Sequence, residues 1–226
     1  MPATPAAELP RQLDRLERLY GAPEPVLPRG ALDWVLWENA AYLVAPARRA
    51  QAYRALRKLS GRSGAGLLRV PRAELLALAA GGGMLPEQRV EKWLDIAGTL
   101  AHDFDGDLET VLALPLAKAR AALKRFPGIG EPGAEKILLF TGTHALFALE
   151  SNGLRALVRL GYAPAAKNYS TTYRALRTAL APLERRGAPW LQRAHLLLWR
   201  HGQELCKNSA PRCDDCPLHE ACPSAE

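Results

Sequence analysis

Apolar residues recur along this chain at the three- and four-residue spacing of helix faces, and they almost nowhere alternate with polar residues as they do in half-buried strands. Leu9, Leu13, Leu16 and Tyr20 mark a first helix. The later periodic segments are separated by proline and glycine, and they predict helices at about 31–45, 47–59, 72–80, 87–103, 107–125 with a break at Pro115, 132–141, 153–161, 170–182 and 189–204. The pattern therefore predicts an all-α fold.

Two glycine-rich segments, from Gly61 to Gly66 and from Gly81 to Gly83, are predicted to be loops between these helices. The length of 226 residues is enough for one large domain or two small ones. Thirty Lys and Arg residues against twenty-three Asp and Glu residues leave a net charge of +7, with a pI near 9.5. This balance is compatible with a nucleic-acid partner but is weak evidence taken alone.

The apolar stretches are shorter than a membrane span, so no membrane association is expected. The segment AELPRQLDRLERLY near the N-terminus is typical of a helix and unlike a secretory signal. We therefore expect a soluble, monomeric protein in the cytoplasm, associated with the nucleoid if the source is prokaryotic.

Four cysteines lie close together near the end of the chain, and the sequence contains no others: Cys206, Cys213, Cys216 and Cys222, in the spacing C-x6-C-x2-C-x5-C. Thiolates this close in sequence can converge on one metal centre, and soft sulfur ligands suit iron-sulfur clusters, zinc or Cu(I). Two disulfides are an alternative that needs an oxidising compartment. A four-cysteine zinc site is another, although such sites usually present two close pairs of cysteines and this spacing has one.

A second motif, from Leu123 to Ile137, reads LKRFPGIGEPGAEKI. We predict that one helix ends near Phe126, that PGIG forms a tight turn, and that a new helix begins with Pro132 in its first turn. Gly128 and Gly130 permit positive φ and close approach of a ligand, so the amides of the turn and of the helix N-terminus could hold a phosphate oxygen. A plain turn between two helices is the alternative, because such turns often contain proline and glycine.

The two motifs in this order resemble the endonuclease III family of DNA glycosylases. The residues flanking the cysteines agree with the resemblance, since His201-Gly202 precedes the first cysteine and Pro211-Arg212 precedes the second. The resemblance implies a 4Fe-4S cluster held by all four cysteines, double-stranded DNA as partner, and contacts from Lys207 and Arg212 to DNA phosphates. It also implies two helical lobes. One is a six-helix barrel at 30–144 with a helix-hairpin-helix at about 123–140, and the other is a cluster lobe formed by 1–29 and 145–226.

The chain departs from the family at the residue that attacks the sugar. Bifunctional members carry a lysine in a PGVGRKTA segment, and the matching position here is Pro132, which has no nucleophile. Monofunctional relatives activate water instead, so the resemblance implies base excision with little or no lyase activity. Lys136 lies one turn further along the same helix face and could replace the missing lysine. A contact from Lys136 to a DNA phosphate or to solvent is the favoured alternative.

The family also carries an aspartate eighteen residues after that lysine, and the same count from Pro132 leads to Glu150. In a glycosylase this carboxylate would stabilise the developing positive charge on the sugar and orient or deprotonate water. The alternative is that Glu150 is a helix N-terminal acid with Ser151 as the cap. Asn152 replaces the histidine of the family motif, whereas Arg155 is retained.

Base flipping requires side chains that fill the gap left in the duplex and contact the orphaned base. The resemblance implies that Asn39 contacts the orphaned base and that Met84 is the wedge, in a looser alignment. Trp37 and Glu38 would lie beside the base pocket.

Two functions are compatible with these residues. One is a DNA N-glycosylase of base-excision repair, a hydrolase with Glu150 as its catalytic carboxylate. The other is a catalytically weak or inactive protein of the same fold that binds damaged or distorted DNA. The sequence does not identify the base that is recognised.

Overall fold

The computed structural model describes residues 4–24, 26, 28–61 and 63–225, and within these ranges it contains α-helices, short 3-10 helices and loops but no named strand. The prediction of an all-α fold is confirmed. The α-helices are α1 (Leu9–Tyr20), α2 (Ala31–Ala40), α3 (Pro46–Leu59), α4 (Gly64–Leu68), α5 (Arg72–Gly81), α6 (Pro86–Phe104), α7 (Leu116–Leu123), α8 (Glu131–Phe140), α9 (Ser151–Arg159), α10 (Tyr169–Leu180) and α11 (Ala188–Glu204). Among the described residues, no helix is both long enough and apolar enough to cross a membrane.

The chain divides into two compact units. The terminal unit consists of Met1–Pro25 and His144–Glu226, and it contains α1 and α9 to α11. The central unit is Val26–Thr143 and contains α2 to α8. The cysteines and Glu150 therefore belong to the terminal unit, whereas the turn between α7 and α8 belongs to the central unit.

In the terminal unit, α11 packs against both α9 and α1. The apolar residues that predicted the first helix are fully buried at Leu9, Leu13 and Leu16. Arg193 of α11 donates hydrogen bonds to acidic side chains of α1, including one of 2.7 Å to Glu17. The N-terminal helix is therefore anchored to a helix almost two hundred residues away by both apolar burial and charge-assisted hydrogen bonds.

In the central unit, α6 packs against α2, α4 and α5. Its side chain Trp93 is fully buried, and the indole nitrogen donates a 3.0 Å hydrogen bond to the backbone carbonyl of Asn39. A buried indole N–H needs such a partner because leaving it unpaired is costly. This bond fixes the C-terminal end of α2 against α6.

Two sequence-based boundaries differ from the structure. Helix α2 ends at Ala40 and does not extend to 45, because Ala41 is extended and Leu43 adopts a left-handed conformation with φ of 52°. The loop predicted from Gly61 to Gly66 was wrong in its second half, where α4 begins. The Ser63 hydroxyl accepts a 2.9 Å hydrogen bond from the Gly66 amide, and Leu67 is buried, so capping and packing offset the low helix propensity of glycine. The predicted break at Pro115 is confirmed, since a 3-10 helix (Glu109–Ala113) precedes it and α7 follows.

Candidate metal centre and nucleic-acid interface

The four cysteines of the terminal unit are unpaired thiols, each half-buried, and all four line one cavity of about 570 Å³. The first of them follows the end of α11, where the Cys206 amide donates a 2.9 Å hydrogen bond to the His201 carbonyl. The others lie on a compact loop whose turns are closed by backbone hydrogen bonds, from Cys216 to Cys213 at 3.0 Å and from Cys222 to His219 at 3.0 Å. The turns of this loop thus bring the cysteines to the same cavity.

The cysteine loop is attached to α9 by Arg159. Its guanidinium donates hydrogen bonds to the Lys207 carbonyl at 2.6 Å and to the Asn208 carbonyl at 3.1 Å, and it lies 3.4 Å from the Cys206 sulfur. The Leu218 amide similarly approaches the Cys216 sulfur at 3.4 Å. N–H groups directed at sulfur are the usual outer partners of metal-bound thiolates.

His201 closes one side of this cavity and is buried, with 2% of its surface exposed. Its Nδ1 lies 3.2 Å from the Tyr20 hydroxyl, and its Nε2 lies 3.9 Å from the Cys216 sulfur. Burial, with a smaller effect from the charge of Arg155, lowers the pKa of His201 to about 4. The ring is therefore a neutral packing and hydrogen-bonding group at neutral pH.

The four cysteines line the same cavity. Burial raises the pKa of Cys216 and Cys222, and the neighbouring cysteines add to this rise, so the thiols are close enough to interact. Yet among the described residues no group of three or more His, Cys, Asp or Glu side chains is arranged to hold a single metal ion.

Glu150 immediately precedes α9 and is its N-cap residue. Its Oε1 accepts a 2.6 Å hydrogen bond from the Gly153 amide, and its Oε2 accepts a 2.9 Å hydrogen bond from the Asn152 side chain. In the alternative interpretation Ser151 was the cap, but Ser151 is the first helical residue and the capping side chain is Glu150 itself. Backbone and side-chain donors therefore hold the carboxylate in one orientation at the positive end of a helix.

A chain of hydrogen bonds joins Glu150 to the cysteine loop. Asn152 donates to Glu150 and accepts a 2.9 Å hydrogen bond from Arg155 through its side-chain oxygen. Arg155 in turn donates to the Gly202 carbonyl at 2.7 Å and to the Cys206 carbonyl at 2.9 Å. The retained arginine and the asparagine of the sequence motif thus form one connected polar network.

Tyr169 is an aromatic residue near this carboxylate that the sequence analysis did not identify. It begins α10, is 40% exposed and stacks on Tyr173 with ring centroids 6.0 Å apart. Burial raises the pKa of Tyr169 to about 12, and the negative charge of Glu150 contributes to the rise. A partly exposed aromatic face is therefore available in the neighbourhood of Glu150.

In the central unit, the turn between α7 and α8 follows the predicted outline. Gly128 has a φ of 75°, which strongly favours glycine, and Pro132 lies in the first turn of α8. Gly130 was also expected to permit positive φ, but it is extended, with φ of −88°, and precedes the helix as its N-cap residue. The amides at the start of α8 are consequently free of intrahelical partners, as at any helix N-terminus.

Asn39 is buried against this turn. Its side-chain nitrogen donates to the Val35 carbonyl at 2.9 Å and to the Pro127 carbonyl at 3.0 Å, and only 7% of its surface is exposed. A Cβ atom added to Gly128 would lie 2.9 Å from the Asn39 side-chain oxygen. The residue expected to contact an orphaned base thus joins α2 to the α7–α8 turn in this structure.

Lys136 is directed at a neighbouring acid in the central unit. Its amine lies 2.6 Å from a Glu38 carboxylate oxygen, and it also lies 5.9 Å from the centre of the Trp34 ring. Its side chain is 14% exposed. The ammonium group of Lys136 therefore forms an ion pair with an acid of its own unit.

The remaining predicted DNA contacts are on the surface. Met84 is 61% exposed on the loop after α5. Lys207 is exposed on the cysteine loop, and Arg212 is exposed but forms an ion pair with Asp215, with two hydrogen bonds of 2.6 and 2.9 Å to one oxygen. A phosphate would compete with Asp215 for the guanidinium of Arg212.

Arg159 and Arg89 are two further residues with structural roles that were not expected from the sequence. The only sequence signal for Arg159 is its position four residues after Arg155, which places both on the same face of α9. Arg89 lies in α6 with only 5% of its surface exposed and donates to the carbonyls of the loop before that helix. No sequence pattern marks such a buried arginine, because its partners are backbone atoms.

Comparison with known proteins supports the same relationship. No family model matches the chain. Over 116 residues it is 27% identical to endonuclease III of Sulfolobus acidocaldarius, covering 51% of this chain and 49% of the relative. Over 101 residues it is 31% identical to endonuclease III of Rickettsia conorii, covering 45% of each. The chain thus spans about half the length of these curated relatives.

Solved structures match over nearly the whole chain. A trapped endonuclease III–DNA covalent intermediate, in an estranged-adenine complex, has a TM-score of 0.77 at 16% identity and covers 98% of this chain and 97% of that one. A thermostable thymine-DNA glycosylase has a TM-score of 0.72 at 14% identity, with 97% of both chains covered. The fold is that of the helical DNA glycosylases. The chain is thus similar to endonuclease III-like DNA glycosylases in both sequence and fold.

Proposed function

We propose that this protein is a DNA N-glycosylase of base-excision repair that flips a damaged or mismatched base out of duplex DNA and excises it. The observation that carries the proposal is Glu150, an acid at the position the family resemblance implies, with both oxygens of its carboxylate held by hydrogen bonds. The likeness to endonuclease III in sequence and fold supports the same class of reaction. Several of the similar structures are complexes with DNA.

The proposed reaction breaks the bond between the sugar and the base. The base leaves with the bonding electron pair and takes up a proton, while water supplies the oxygen that binds the anomeric carbon. Glu150 would stabilise the developing positive charge on the sugar and accept a proton from the attacking water. The hydrogen bonds from Gly153 and Asn152 would hold the carboxylate in place for both tasks.

We propose that the enzyme is monofunctional, with little or no AP-lyase activity. Pro132 occupies the position of the nucleophilic lysine in the family motif. Lys136 is a poor substitute, because Schiff-base formation requires a free amine and the amine of Lys136 forms an ion pair with Glu38. Borohydride treatment of the protein with an abasic duplex should therefore trap no covalent adduct, and an adduct lost in Lys136→Ala would contradict this assignment.

We also propose that Cys206, Cys213, Cys216 and Cys222 hold a 4Fe-4S cluster. The free thiols of all four cysteines and the cavity that they share support this proposal. When bound, the cluster would supply a rigid cross-link for the C-terminal loop. Arg159 and the Leu218 amide would support the sulfur ligands of that loop.

The proposed DNA contacts lie in both units. In the central unit, Gly128 and Gly130 would bring a phosphate to the amides at the start of α8, as in a helix-hairpin-helix. In the terminal unit, Lys207 and Arg212 would contact phosphate from the cysteine loop, with Arg212 exchanging Asp215 for the phosphate. These contacts position the protein but do not select a base.

Base release from duplexes carrying alkylated, oxidised, deaminated or mismatched bases tests the proposal. Glu150→Gln removes the negative charge and should lower release on the order of 100-fold or more, since electrostatic stabilisation of the transition state is lost. The matched control is Glu204→Gln, which removes an exposed acid of the same unit that pairs with Arg200. DNA affinity should remain close to that of the unmodified protein in both variants.

Base release that survives Glu150→Gln would contradict the catalytic role of this residue. The second candidate function is recognition of damaged or distorted DNA without catalysis. It is favoured because Glu150 is one methylene longer than the aspartate of the family motif, and because Asn152 replaces the histidine of that motif. Tight binding to distorted duplexes with no release from any substrate would support this second function.

A further inference from the structure

Both ring nitrogens of His201 have a polar partner within the terminal unit. Nδ1 lies 3.2 Å from the Tyr20 hydroxyl, and Nε2 lies 3.9 Å from the Cys216 sulfur. Sulfur is larger than oxygen and is a weak acceptor, so hydrogen bonds to it are longer than those to oxygen. Tyr20 is the last residue of α1. The imidazole therefore connects the end of the N-terminal helix to one of the four cysteines.

The two contacts select one tautomer of the His201 ring. A cysteine that binds a metal is a thiolate and has no proton to donate, so its favourable partner is an N–H group. Nε2 then carries the proton that points at the Cys216 sulfur. Nδ1 of the neutral ring is an acceptor, and the Tyr20 hydroxyl can donate to it. Hydroxyl, imidazole and sulfur thus form a chain of hydrogen bonds that runs from Tyr20 through His201 to Cys216.

Tyr20 is restrained at both its backbone and its ring. The guanidinium of Arg200, in α11, donates a 2.8 Å hydrogen bond to the Tyr20 carbonyl and lies 4.9 Å from the centre of the Tyr20 ring. Glu204 holds the same guanidinium through a 2.7 Å hydrogen bond. Arg200 therefore keeps the tyrosine hydroxyl next to Nδ1 by a hydrogen bond and by a cation–π contact.

The backbone of His201 is fixed where α11 leads into the cysteine loop. Its carbonyl accepts the Cys206 amide at 2.9 Å, and the adjoining Gly202 carbonyl accepts a 2.7 Å hydrogen bond from Arg155. A Cβ atom at Gly202 would lie 2.6 Å from the Asn152 backbone oxygen, so α11 and α9 approach each other closely at this point. The imidazole is therefore held against the cavity that the cysteines line.

The Cys216 sulfur has two N–H groups near it. One is His201 Nε2, and the other is the Leu218 amide at 3.4 Å. In an iron-sulfur centre, N–H groups directed at sulfur stabilise the form with the greater negative charge, which is the reduced form. A donor at Cys216 is therefore expected to raise the reduction potential of such a centre.

We propose that His201 is a hydrogen-bond donor to the Cys216 ligand of the 4Fe-4S cluster, that Tyr20 is its positioning residue, and that together they raise the reduction potential of the cluster. The inference rests on the cluster that is proposed above for the four cysteines. Hydrogen bonds to sulfur and the exclusion of water are among the factors that set such a potential. His201 supplies both, because it is buried and lines the cavity of the cysteines.

The reduction potential of the purified, iron-loaded protein, measured by voltammetry, tests the proposal. Tyr20→Phe removes only the hydroxyl, so the ring of His201 is no longer held in the tautomer that donates to sulfur. The ratio of reduced to oxidised cluster at a fixed potential should fall roughly threefold to tenfold, a shift of about 28–59 mV to lower potential for a one-electron couple. His201→Phe removes the donor and should lower the potential at least as far.

Tyr162→Phe is the matched control. The Tyr162 hydroxyl donates a 2.9 Å hydrogen bond to Gln12 of α1, so this variant also removes a tyrosine hydroxyl that contacts the N-terminal helix. Tyr162 is not among the described residues that line the cavity of the cysteines. The control should keep the potential of the unmodified protein even if its melting temperature falls as much as that of Tyr20→Phe. An equal shift of potential in the control would overturn the proposal.

Pulsed electron paramagnetic resonance of protein labelled with ¹⁵N-histidine gives a second readout. The unmodified protein should show a histidine nitrogen coupled to the cluster, and the coupling should disappear in His201→Phe. A coupling that persists would assign the donor to another histidine, such as His219, whose Nδ1 lies 3.0 Å from the Cys213 carbonyl, and would overturn the proposal.

The outcomes separate this inference from the proposed cluster. Absence of iron from unmodified protein that was purified without oxygen would overturn both. A bound cluster whose potential is unchanged in Tyr20→Phe would overturn the role of Tyr20 and His201 and leave the cluster in place. If His201→Phe fails to retain iron, Tyr20→Phe still decides the question, because it changes a single oxygen atom.

Discussion

At the scale of single residues, both oxygens of the Glu150 carboxylate accept hydrogen bonds. It caps α9 through the Gly153 amide, and its second oxygen accepts the Asn152 side chain. A glutamate has one more rotatable bond than an aspartate, so it needs more restraint to hold one position. Asn152 supplies this restraint and is itself held by Arg155.

We therefore expect Asn152→Ala to reduce the turnover of base release roughly tenfold, because loss of the positioning hydrogen bond displaces the carboxylate from its productive geometry. KM should change little, since Asn152 is assigned no contact to DNA. Asn208→Ala is the matched control, because only the backbone carbonyl of Asn208 is used, by Arg159. A change confined to KM, or an equal effect in the control, would argue against a positioning role.

At the scale of the structural element, the segment from α7 to α8 shows which glycines the backbone requires. Gly128 has positive φ, and a Cβ atom there would approach the Asn39 side-chain oxygen at 2.9 Å. Gly133 lies within α8, where a Cβ atom would meet only Ile129, at 3.5 Å, an ordinary contact distance. The two glycines are five residues apart and should respond to the same substitution in opposite ways.

Gly128→Ala should lower the free energy of unfolding by about 1–2 kcal/mol, because the left-handed conformation is unfavourable for alanine. It should also weaken DNA binding, since the turn that presents the α8 amides is displaced. Gly133→Ala should leave stability unchanged or raise it by up to about 1 kcal/mol, as expected for glycine to alanine within a helix. Denaturant unfolding and DNA titration of both variants provide the measurements, and equal destabilisation by the two would refute this account.

At the scale of the whole molecule, the cysteine loop that follows α11 depends on long-range contacts. The loop contains no long helix and only one short 3-10 helix, from His219 to Ala221. It is anchored by Arg155 and Arg159 of α9, through the carbonyls of Cys206 and Lys207 among others. A segment with so little regular structure gains much of its order from such anchors and from the proposed cluster.

Cys213→Ser should reduce the iron content of the purified protein to roughly a tenth or less. The N–H groups of Arg159 and Leu218 that approach sulfur do not by themselves retain a metal centre that has lost one cysteine ligand. The melting temperature and the affinity for duplex DNA should fall together, since Lys207 and Arg212 lie on the same loop. Ser209→Ala, an exposed change in that loop, is the control. A folded variant that binds DNA normally without iron would show that the cysteines do not order the DNA-contacting loop.

Much of this protein follows from local sequence alone. The apolar periodicity predicted the all-α fold, because helices bury residues that recur at fixed spacing. The PGIG turn was predicted because glycine adopts positive φ, as Gly128 does, at little cost. The spacing of the four cysteines predicts a common metal centre, because thiolates this close in sequence can converge on one point.

Other features were decided by tertiary structure. Asn39 binds the Pro127 carbonyl, Lys136 pairs with Glu38, and Arg155 binds the Gly202 and Cys206 carbonyls. These partners belong to different elements, and no local pattern specifies them. The exposure of Leu43 and Met84 likewise depends on two loops that approach each other through Gly82 and Gly83, about forty residues after the first loop. The sequence determined which segments become helices and where the four cysteines and Glu150 lie along the chain. Packing between those helices determined which side chains are committed to the interior and which remain available to a partner, because burial and hydrogen bonding are properties of the assembled fold.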